Sequence, residues 1–440
     1  MSKLLRTMAL GIVSLFVVVL AVGVLRYGSP EGLYRRVRAE VISLRARDGR
    51  VPTPLPTAND PGALSAWLNA SPTPATPTAR PTATRTATPA PASPTPLPSI
   101  TPSATLAPTA TALPTPTLVL QTTAARVELE GFRHEWQTWN NCGPVTLGMA
   151  MSFYGYSLCQ TDIAPVVRSN YEDKHVGAEE LADYARAQGL EALVRVHGSS
   201  ELLKSLLSNG LPVMMPTWHV DSKGQEMGHY RLVTGYDDAV QEWIVWDSLE
   251  TRGVSADAPY VGVRLPYAEF EEHWQVLNHL YVVLYPAERA ATVRALLGKD
   301  LDDAGMWQRS LERAREHLSA HPDNAFAWFT LGTNLLHNAL PAEAAEAYDR
   351  ARLIGLPFRM LWYQFGPLQA YYEVGRYEEV VALADATLKW TSDVEELHYW
   401  RGRALLALGD APGGRAALET ALAKRPGYPE AAAALAALAP

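Results

Sequence analysis

Cysteine is nearly absent: Cys142 and Cys159 are the two thiols in 440 residues. Two cysteines at this spacing supply neither a disulfide framework nor the paired ligands of a zinc site. No His/Asp/Glu cluster has metal-ligand spacing, so neither a metal nor another cofactor is expected. Charge of one sign is scarce as well. Lys+Arg number 38 against Asp+Glu 46, a net charge of −8, and no dense basic patch marks the regions that should fold. A nucleic-acid partner is therefore not expected. A phosphate loop of the form G-x-x-x-x-G-K-[ST] is missing, and no second long apolar run follows the first. These absences leave little room for nucleotide-driven chemistry.

The composition that is present changes abruptly along the chain. Thr7 to Leu25 carries no charge and is mostly Leu, Val, Ala, Ile and Phe, with Lys3 and Arg6 before it and Arg26 after. A run of that length spans a hydrocarbon core as a helix. A cleaved signal peptide is the rival reading, but its apolar region is shorter and ends in small residues. Residues 1–28 are thus read as a single-pass anchor in the cell membrane. Positive charges beyond the run outnumber those before it, so charge bias leaves the orientation open. Residues 29–51 carry Leu33, Val37, Val41 and Leu44 at helical spacing, which predicts a short helix at the membrane surface.

Residues 52–120 form a disordered Pro/Thr-rich linker, for 17 of the 33 prolines fall within 52–117. Proline removes donors and fixes φ, so helix and sheet are both excluded and a semi-rigid spacer is expected. From Ser71 to Pro116 such a spacer reaches ~140 Å as polyproline II. A spacer of that kind beside an anchor fits folded domains held away from the membrane, outside the cytoplasm.

Residues 300–440 read as helical throughout and self-similar. Gly332, Gly366 and Gly402 recur at intervals of 34 and 36, and Gly375 and Gly409 at 34. Trp328, Leu331, Gly332, Ala344, Tyr348 and Ala351 follow the large-and-small pattern of one tetratricopeptide repeat, and Pro322 and Pro426 stand where that pattern ends helices. A second stretch, Trp362 to Trp390, departs from it at Val380 and Ala384. The region resembles the tetratricopeptide family in roughly three repeats with a final capping helix, Glu430 to Pro440. The resemblance implies an all-α array that binds a protein or peptide partner; a packing module without a ligand is the alternative.

Residues 126–290 hold the candidate chemistry. A polar loop ends at Cys142, and an apolar, helix-compatible run to Tyr154 begins there. A thiol at a helix start meets unpaired backbone N–H groups and the positive end of the helix dipole, which favour the thiolate. Gln137, five residues upstream, can offer its amide to an oxyanion. Further helices are expected at Thr161–Ser169, Ala178–Gln188 and Ser200–Leu207. Strands are expected at Ala192–Val196, Pro212–Pro216, His229–Tyr236, Trp243–Asp247, Val261–Leu265 and His279–Leu284. Helices first and a largely antiparallel sheet after predict an α+β domain.

The stretches Gly228-His229-Tyr230 to Asp238 and Glu242 to Ser248 are joined by a short polar turn. A hairpin pairs them with residue numbers summing near 477–478, which brings His229 within one or two residues of the position opposite Asp247. An imidazole oriented by a carboxylate near a low-pKa thiol is the logic of nucleophilic acyl transfer.

Together, Gln137, Asn141-Cys142-Gly143-Pro144, Gly228-His229-Tyr230, Gly235-Tyr236-Asp237 and Trp246-Asp247 resemble the C39-type cysteine peptidases of the papain-like fold, and in particular the stand-alone C39-like domains of bacterial surface proteins. The likeness covers about 160 residues. It implies Cys142 as nucleophile, His229 as general base and acid, Asp247 as the group orienting the histidine, and Gln137 as oxyanion donor. Asn141 departs from the acidic residue that many relatives carry there. No transporter domain follows, so leader-peptide processing of the exporter-fused kind is not expected. The substrate implied is a peptide or protein. The alternative is a catalytically silent surface adaptor whose C39-like domain and repeats bind peptides or partner proteins.

Four side chains receive plainer readings. His219 is expected at a strand end or loop on the rim of the cleft. His134 and His175 are expected in loops, exposed to solvent. Cys159 is expected as a small buried apolar residue, too far along from Cys142 to pair with it. Asp237 and Asp238 are expected as turn formers.

Overall fold

The computed structural model describes residues 49–55, 118–221, 224–255 and 258–438, with the isolated positions Val22, Leu33 and Val37. The expected anchor, the surface helix and almost all of the Pro/Thr-rich linker lie outside the described residues. Among the described residues no helix is long and apolar enough to cross a membrane.

Seven antiparallel strands build one sheet: β1 (Arg126–Glu128), β2 (Glu191–Arg195), β3 (Val213–Val220), β4 (Glu226–Asp237), β5 (Glu242–Trp246), β6 (Val263–Pro266) and β7 (Tyr281–Tyr285). Their order is β2-β7-β3-β4-β5-β6, with β1 added to β4. Strand β4 is the axis. Residues 226–233 pair with β3, and residues 235–237 pair with β1. A register shift between Val233 and Gly235 lies at the changeover. Gly235 is needed there because a Cβ would stand 2.3 Å from the Val127 carbonyl oxygen.

Alternation along the strands divides the core into two layers. Val213, Met215, Val233, Val245 and Val283 face one way, where helices α4 (Ser200–Ser208), α5 (Tyr267–Gln275) and α6 (Ala290–Leu297) bury Leu203, Leu206, Leu207, Phe270, Trp274, Val293 and Leu297. Met214, Leu232, Val282 and Leu284 face the other way, onto α1 (Cys142–Ser152), α2 (Gln160–Val167) and α3 (Ala178–Ala187). Helix α1 buries nine of its eleven residues. That explains why its sequence is apolar all round instead of striped.

The expected helices and strands overlap these elements with ends displaced by a few residues. Strand β1 and helices α5 and α6 were not anticipated. The first is three residues long. The second, Tyr-Ala-Glu-Phe-Glu-Glu-His-Trp-Gln, hides Phe270 and Trp274 among charges.

The C-terminal region is helical: α7 (Asp303–Ala320), α8 (Ala325–His337), α9 (Pro341–Ile354), a 3-10 turn (Phe358–Trp362), α10 (Gly366–Glu373), α11 (Tyr377–Leu388), α12 (Glu395–Ala407), α13 (Ala411–Lys424) and α14 (Pro429–Ala436). This is consistent with a repeat array of antiparallel helix pairs. Small residues mark the close approaches: a Cβ on Gly332 would lie 2.8 Å from the Tyr348 ring. The array is not a separate body. Trp218 of β3 and Val276, just after α5, belong to the same apolar cluster as Phe329, Tyr348 and Tyr371. Asn278 and Asn334 also pair across the junction, the Asn334 amide donating at 2.8 Å.

Candidate active site

Helix α1 begins at Cys142, and its N-cap residue Asn141 makes no side-chain capping bond. The amides of the first turn are therefore not spent on a cap. Pro144 falls within that first turn, where its missing N–H costs nothing. Gly143 lets the helix start pack tightly: a Cβ there would meet Leu181 at 3.2 Å and Tyr230 at 3.4 Å. Farther along, Thr146 Oγ1 donates to the Tyr230 carbonyl at 3.1 Å and fixes α1 against β4.

His229 lies on β4, two residues from Arg231, so both side chains project from the same face. Leu232 pairs with Trp246, which places Asp247 next in register opposite Arg231. The carboxylate then serves both neighbours. His229 Nε2 is 2.8 Å from Asp247 Oδ1, and Arg231 Nε donates to Asp247 Oδ2 at 2.8 Å. With Nε2 committed to Asp247, the imidazole lies close enough to the Cys142 thiol for each group to favour the charged form of the other. The contact between His229 and Asp247 is the one the hairpin register anticipates, and the arginine on the other carboxylate oxygen escaped that reasoning.

Electrostatics follow from this packing. Burial alone pushes the Cys142 thiol up, but the hydrogen bond and positive charge of His229, with backbone N–H groups of Tyr230 and Gly143, leave it below its ordinary value. Burial alone pushes His229 down; the Asp247 charge and hydrogen bond, joined by Cys142, carry it up to about 9. Burial likewise favours a neutral Asp247, and His229 and Arg231 overcome that to hold it well below the usual carboxylate range. The site therefore favours a thiolate–imidazolium pair, resting on a buried carboxylate. Cys142 as a residue is half-buried.

Gln137 comes from the loop before α1 and is fixed by the residue after Asp247. The Gln137 N–H donates to the Ser248 carbonyl at 3.0 Å, and Ser248 Oγ donates to Gln137 Oε1 at 2.8 Å. That orients the amide and leaves Nε2 as the free donor. The same loop is laced by Gln160, whose Oε1 accepts from Thr138 N and Asn141 Nδ2 at 2.8 Å each, while its Nε2 donates to Glu135 Oε1 at 2.7 Å. Asn141 Oδ1 accepts from Arg168 Nη1 at 2.5 Å. Asn141 is thus a buried hub of the nucleophile loop.

Several plainer readings need correction. His219 is not on a rim. It lies within β3, 5% exposed, with Nδ1 accepting from Arg231 Nη2 at 3.0 Å. Burial and the neighbouring His229 and Arg231 charges push it down to about 3, so it stays neutral behind the pair. His134 is half-buried, its Nε2 2.8 Å from the Asp247 carbonyl oxygen and its ring stacked on Tyr260 at 3.5 Å. His175 is half-buried against the array, 3.9 Å from Glu396 and 5.2 Å from the Phe365 ring. Cys159 is a half-buried N-cap rather than an apolar filler: its Sγ donates to Asp162 Oδ2 at 3.1 Å. It forms no bridge to Cys142. Asp237 and Asp238 do stand at the β4–β5 turn, where Asp238 also accepts from Lys204 and from the Tyr267 hydroxyl. Among the described residues no His, Cys, Asp and Glu group can hold a metal ion.

The residues missed by sequence reasoning are Arg231, Ser248, Gln160, Arg168 and Asn141 in its structural role. The spacing of Arg231 from His229 was available as a signal, because residues two apart in a strand share a face.

Residues 129–282 match the model of the Peptidase_C39 like family and form a C39-like domain. No curated protein matches the chain. Similar solved structures include a C39-like peptidase from Bacillus anthracis, 16% identical over 36% of this chain and 96% of that one, with a TM-score of 0.28. The peptidase domain of Streptococcus ComA, a bi-functional ABC transporter, is 18% identical over 36% of this chain and 99% of that one, with a TM-score of 0.27. A double glycine motif protease from an AMS/PCAT transporter, solved with its leader peptide, is 15% identical over 39% and 100%, with a TM-score of 0.27.

Proposed function

We propose that the C39-like domain is a cysteine peptidase that hydrolyses peptide bonds with Cys142 as nucleophile, His229 as acid and base, Asp247 as the orienting carboxylate and Gln137 as oxyanion donor. The observation that carries this reading is the shared carboxylate: Asp247 holds His229 at 2.8 Å on one oxygen and Arg231 at 2.8 Å on the other, with His229 beside the Cys142 thiol whose charged form it favours.

In this reading the Cys142 thiolate adds to the carbonyl carbon of a peptide bond. The oxyanion that forms is met by the Cys142 backbone N–H at the start of α1 and by Gln137 Nε2. The His229 imidazolium gives the proton on its sulfur-facing nitrogen to the departing amine as the C–N bond breaks, leaving a thioester. Neutral His229 then takes a proton from water as that water attacks the thioester, and the C–S bond breaks to release the acid product and the thiolate, which restores the thiolate–imidazolium pair. Asp247 stays ionised throughout and keeps the imidazole in its working orientation.

Membrane anchoring, an extracytoplasmic position and a protein partner on the array complete the proposal, carried by the apolar run Thr7–Leu25, the Pro/Thr tract and the recurring glycines. Labelling with iodoacetamide near neutral pH tests the chemistry. Cys142 should react faster than Cys159, His229→Ala should slow it, and quenched fluorescent peptides should be cut by the parent chain and not by Cys142→Ala. Equal, slow labelling of both thiols sinks the enzyme and leaves the adaptor reading.

A further inference from the structure

The helical array reaches the cleft. Its segment Arg359–Phe365 lies against β4, which carries His229, and against the loop after α2, which is tied to the start of α1. On the histidine side, Arg359 Nη1 donates to the Glu226 carbonyl at 3.0 Å, at the start of β4. Two residues on, the Tyr363 ring covers Gly228, the residue before His229; a Cβ at Gly228 would lie 3.1 Å from that ring. The Tyr363 ring also stands 6.2 Å from Trp218 on β3. On the nucleophile side the segment meets the loop after α2. Lys174 Nζ lies 5.5 Å above the Trp362 ring, and Phe365 packs edge-on to His175 at 5.2 Å. That loop is tied back to the start of α1 by Arg168, which donates to Asn141 and to the Trp139 carbonyl at 3.1 Å.

Tyr363 is close enough to the sulfur to feel it. Its phenol is pushed up first by burial, and the Cys142 thiolate adds to the rise against the opposing charge of Arg359. Yet Cys142 is not sealed, since the residue keeps partial exposure with the array in place. A plug would have covered it. A ring that borders the opening without closing it acts as a wall.

We infer that Tyr363 is a specificity-determining residue contributed by the array: its ring, seated on Gly228, excludes bulky groups that approach Cys142 from the β4 side and admits slim ones. Its consequence for substrate choice rests on the reading of Cys142 as nucleophile. The glycine at position 228 is then part of the same device, because any side chain there would displace the ring.

Alkylation of the full chain in a Cys159→Ala background tests this without requiring turnover. The two probes are iodoacetamide and an iodoacetamide carrying a fluorescein group. In the parent the bulky probe should react with Cys142 at least about tenfold more slowly than the small one, the scale on which pocket shape discriminates. Tyr363→Ala should raise the bulky rate selectively and bring the two within about threefold. Tyr363→Phe should keep the parent ratio, because the ring and not the hydroxyl forms the wall. Tyr363→Trp should slow the bulky probe further, which gives a readout should the alanine variant fail to fold. Equal rates in the parent, or a ratio untouched by both Tyr363→Ala and Tyr363→Trp, overturn the inference. A change of both rates in proportion assigns Tyr363 a structural role only and also overturns it. Failure of the enzyme reading looks different: the absolute rate at Cys142 is then ordinary, while the ratio still reports access.

Discussion

Arg231 and Asp247 form an ion pair inside the sheet, Nε to Oδ2 at 2.8 Å, with side chains 1% and 0% exposed. The pair is the floor on which His229 stands, because the second oxygen of the same carboxylate holds the imidazole. Removing one partner of such a pair leaves an uncompensated buried charge, which is strongly destabilising. Arg231→Met should therefore lower stability by ~3 kcal/mol or more in urea unfolding. It should also shift the pH–rate profile of Cys142 alkylation, since Asp247 loses one of the two side chains that hold its charge. A variant with parent stability and a parent pH–rate profile for alkylation refutes this role.

The same geometry sets the pH dependence of the thiol. The thiolate of Cys142 should persist below the ordinary thiol range, and alkylation should stay fast there. In His229→Ala, burial, the largest influence, is opposed only by the Tyr230 and Gly143 backbone N–H groups, so the apparent pKa should rise to about 8.5 or above, the value of a free thiol. Peptide hydrolysis needs the imidazolium as well as the thiolate. Its alkaline limb should therefore fall near pH 9, where His229 loses its proton. The linkage has a fixed sign. A histidine whose pKa is raised on folding adds stability below its ordinary value of 6.5, and that stability is lost as pH rises through about 9. Denaturation midpoints of the parent and of His229→Gln should accordingly converge above pH 9 and diverge below it.

How much of this was legible depends on the range of the contact. Cys142 at a helix start and the His229–Asp247 pairing are local matters, fixed by a cap and by hairpin register, and sequence patterns carry both. Arg231 was not read because a charged strand residue ordinarily faces solvent; only the buried carboxylate opposite makes it an interior group. His219 shows the same failure, for a histidine near Asp221 and Lys223 reads as a loop residue until β3 and β4 are paired. The meeting of Tyr363 with Gly228 joins residues far apart in the chain, and no periodicity reports it. Glycines such as Gly228 and Gly235 are the trace such contacts leave, but a sequence does not say what presses on them.

Ser248 and Gln137 provide a test of the oxyanion donor. The Ser248 hydroxyl fixes the amide by donating to its oxygen at 2.8 Å. Ser248→Ala leaves Gln137 in place with a freely flipping amide. The kcat for peptide hydrolysis should fall about tenfold with little change in KM, whereas Gln137→Ala should cost on the order of 10²–10³ in kcat. Iodoacetamide alkylation involves no oxyanion and should be unaffected by either change. Loss of alkylation together with hydrolysis would instead place these residues in the structure of the cleft.

The contact between array and C39-like domain should itself respond to pH. Glu395 and Glu396 of α12 face Asp173, His175 and Glu180 of the domain, with Arg425 paired to Glu180 at 2.5 Å and Lys424 to Asp393 at 2.6 Å close by. Burial first, and then the neighbouring carboxylates, push both glutamic acids up, against Arg425. An acid whose pKa is raised on docking binds its proton more tightly in the docked state, so docking weakens as pH climbs from the ordinary carboxylate range towards about 8. His175 acts in the opposite sense below its ordinary value of 6.5, because burial keeps it neutral. The window from about pH 6.5 to 8 therefore isolates the glutamates. Hydrogen exchange in residues 359–365, divided by its intrinsic base-catalysed rate, should speed up across that window in the parent. In Glu396→Gln, where the buried group cannot ionise, the rise should be smaller and the melting temperature at pH 8 higher than in the parent. Exchange that is flat with pH in the parent would mean that these carboxylates are ionised in the docked state and that the array is held by its apolar contacts at Trp218 and Tyr363.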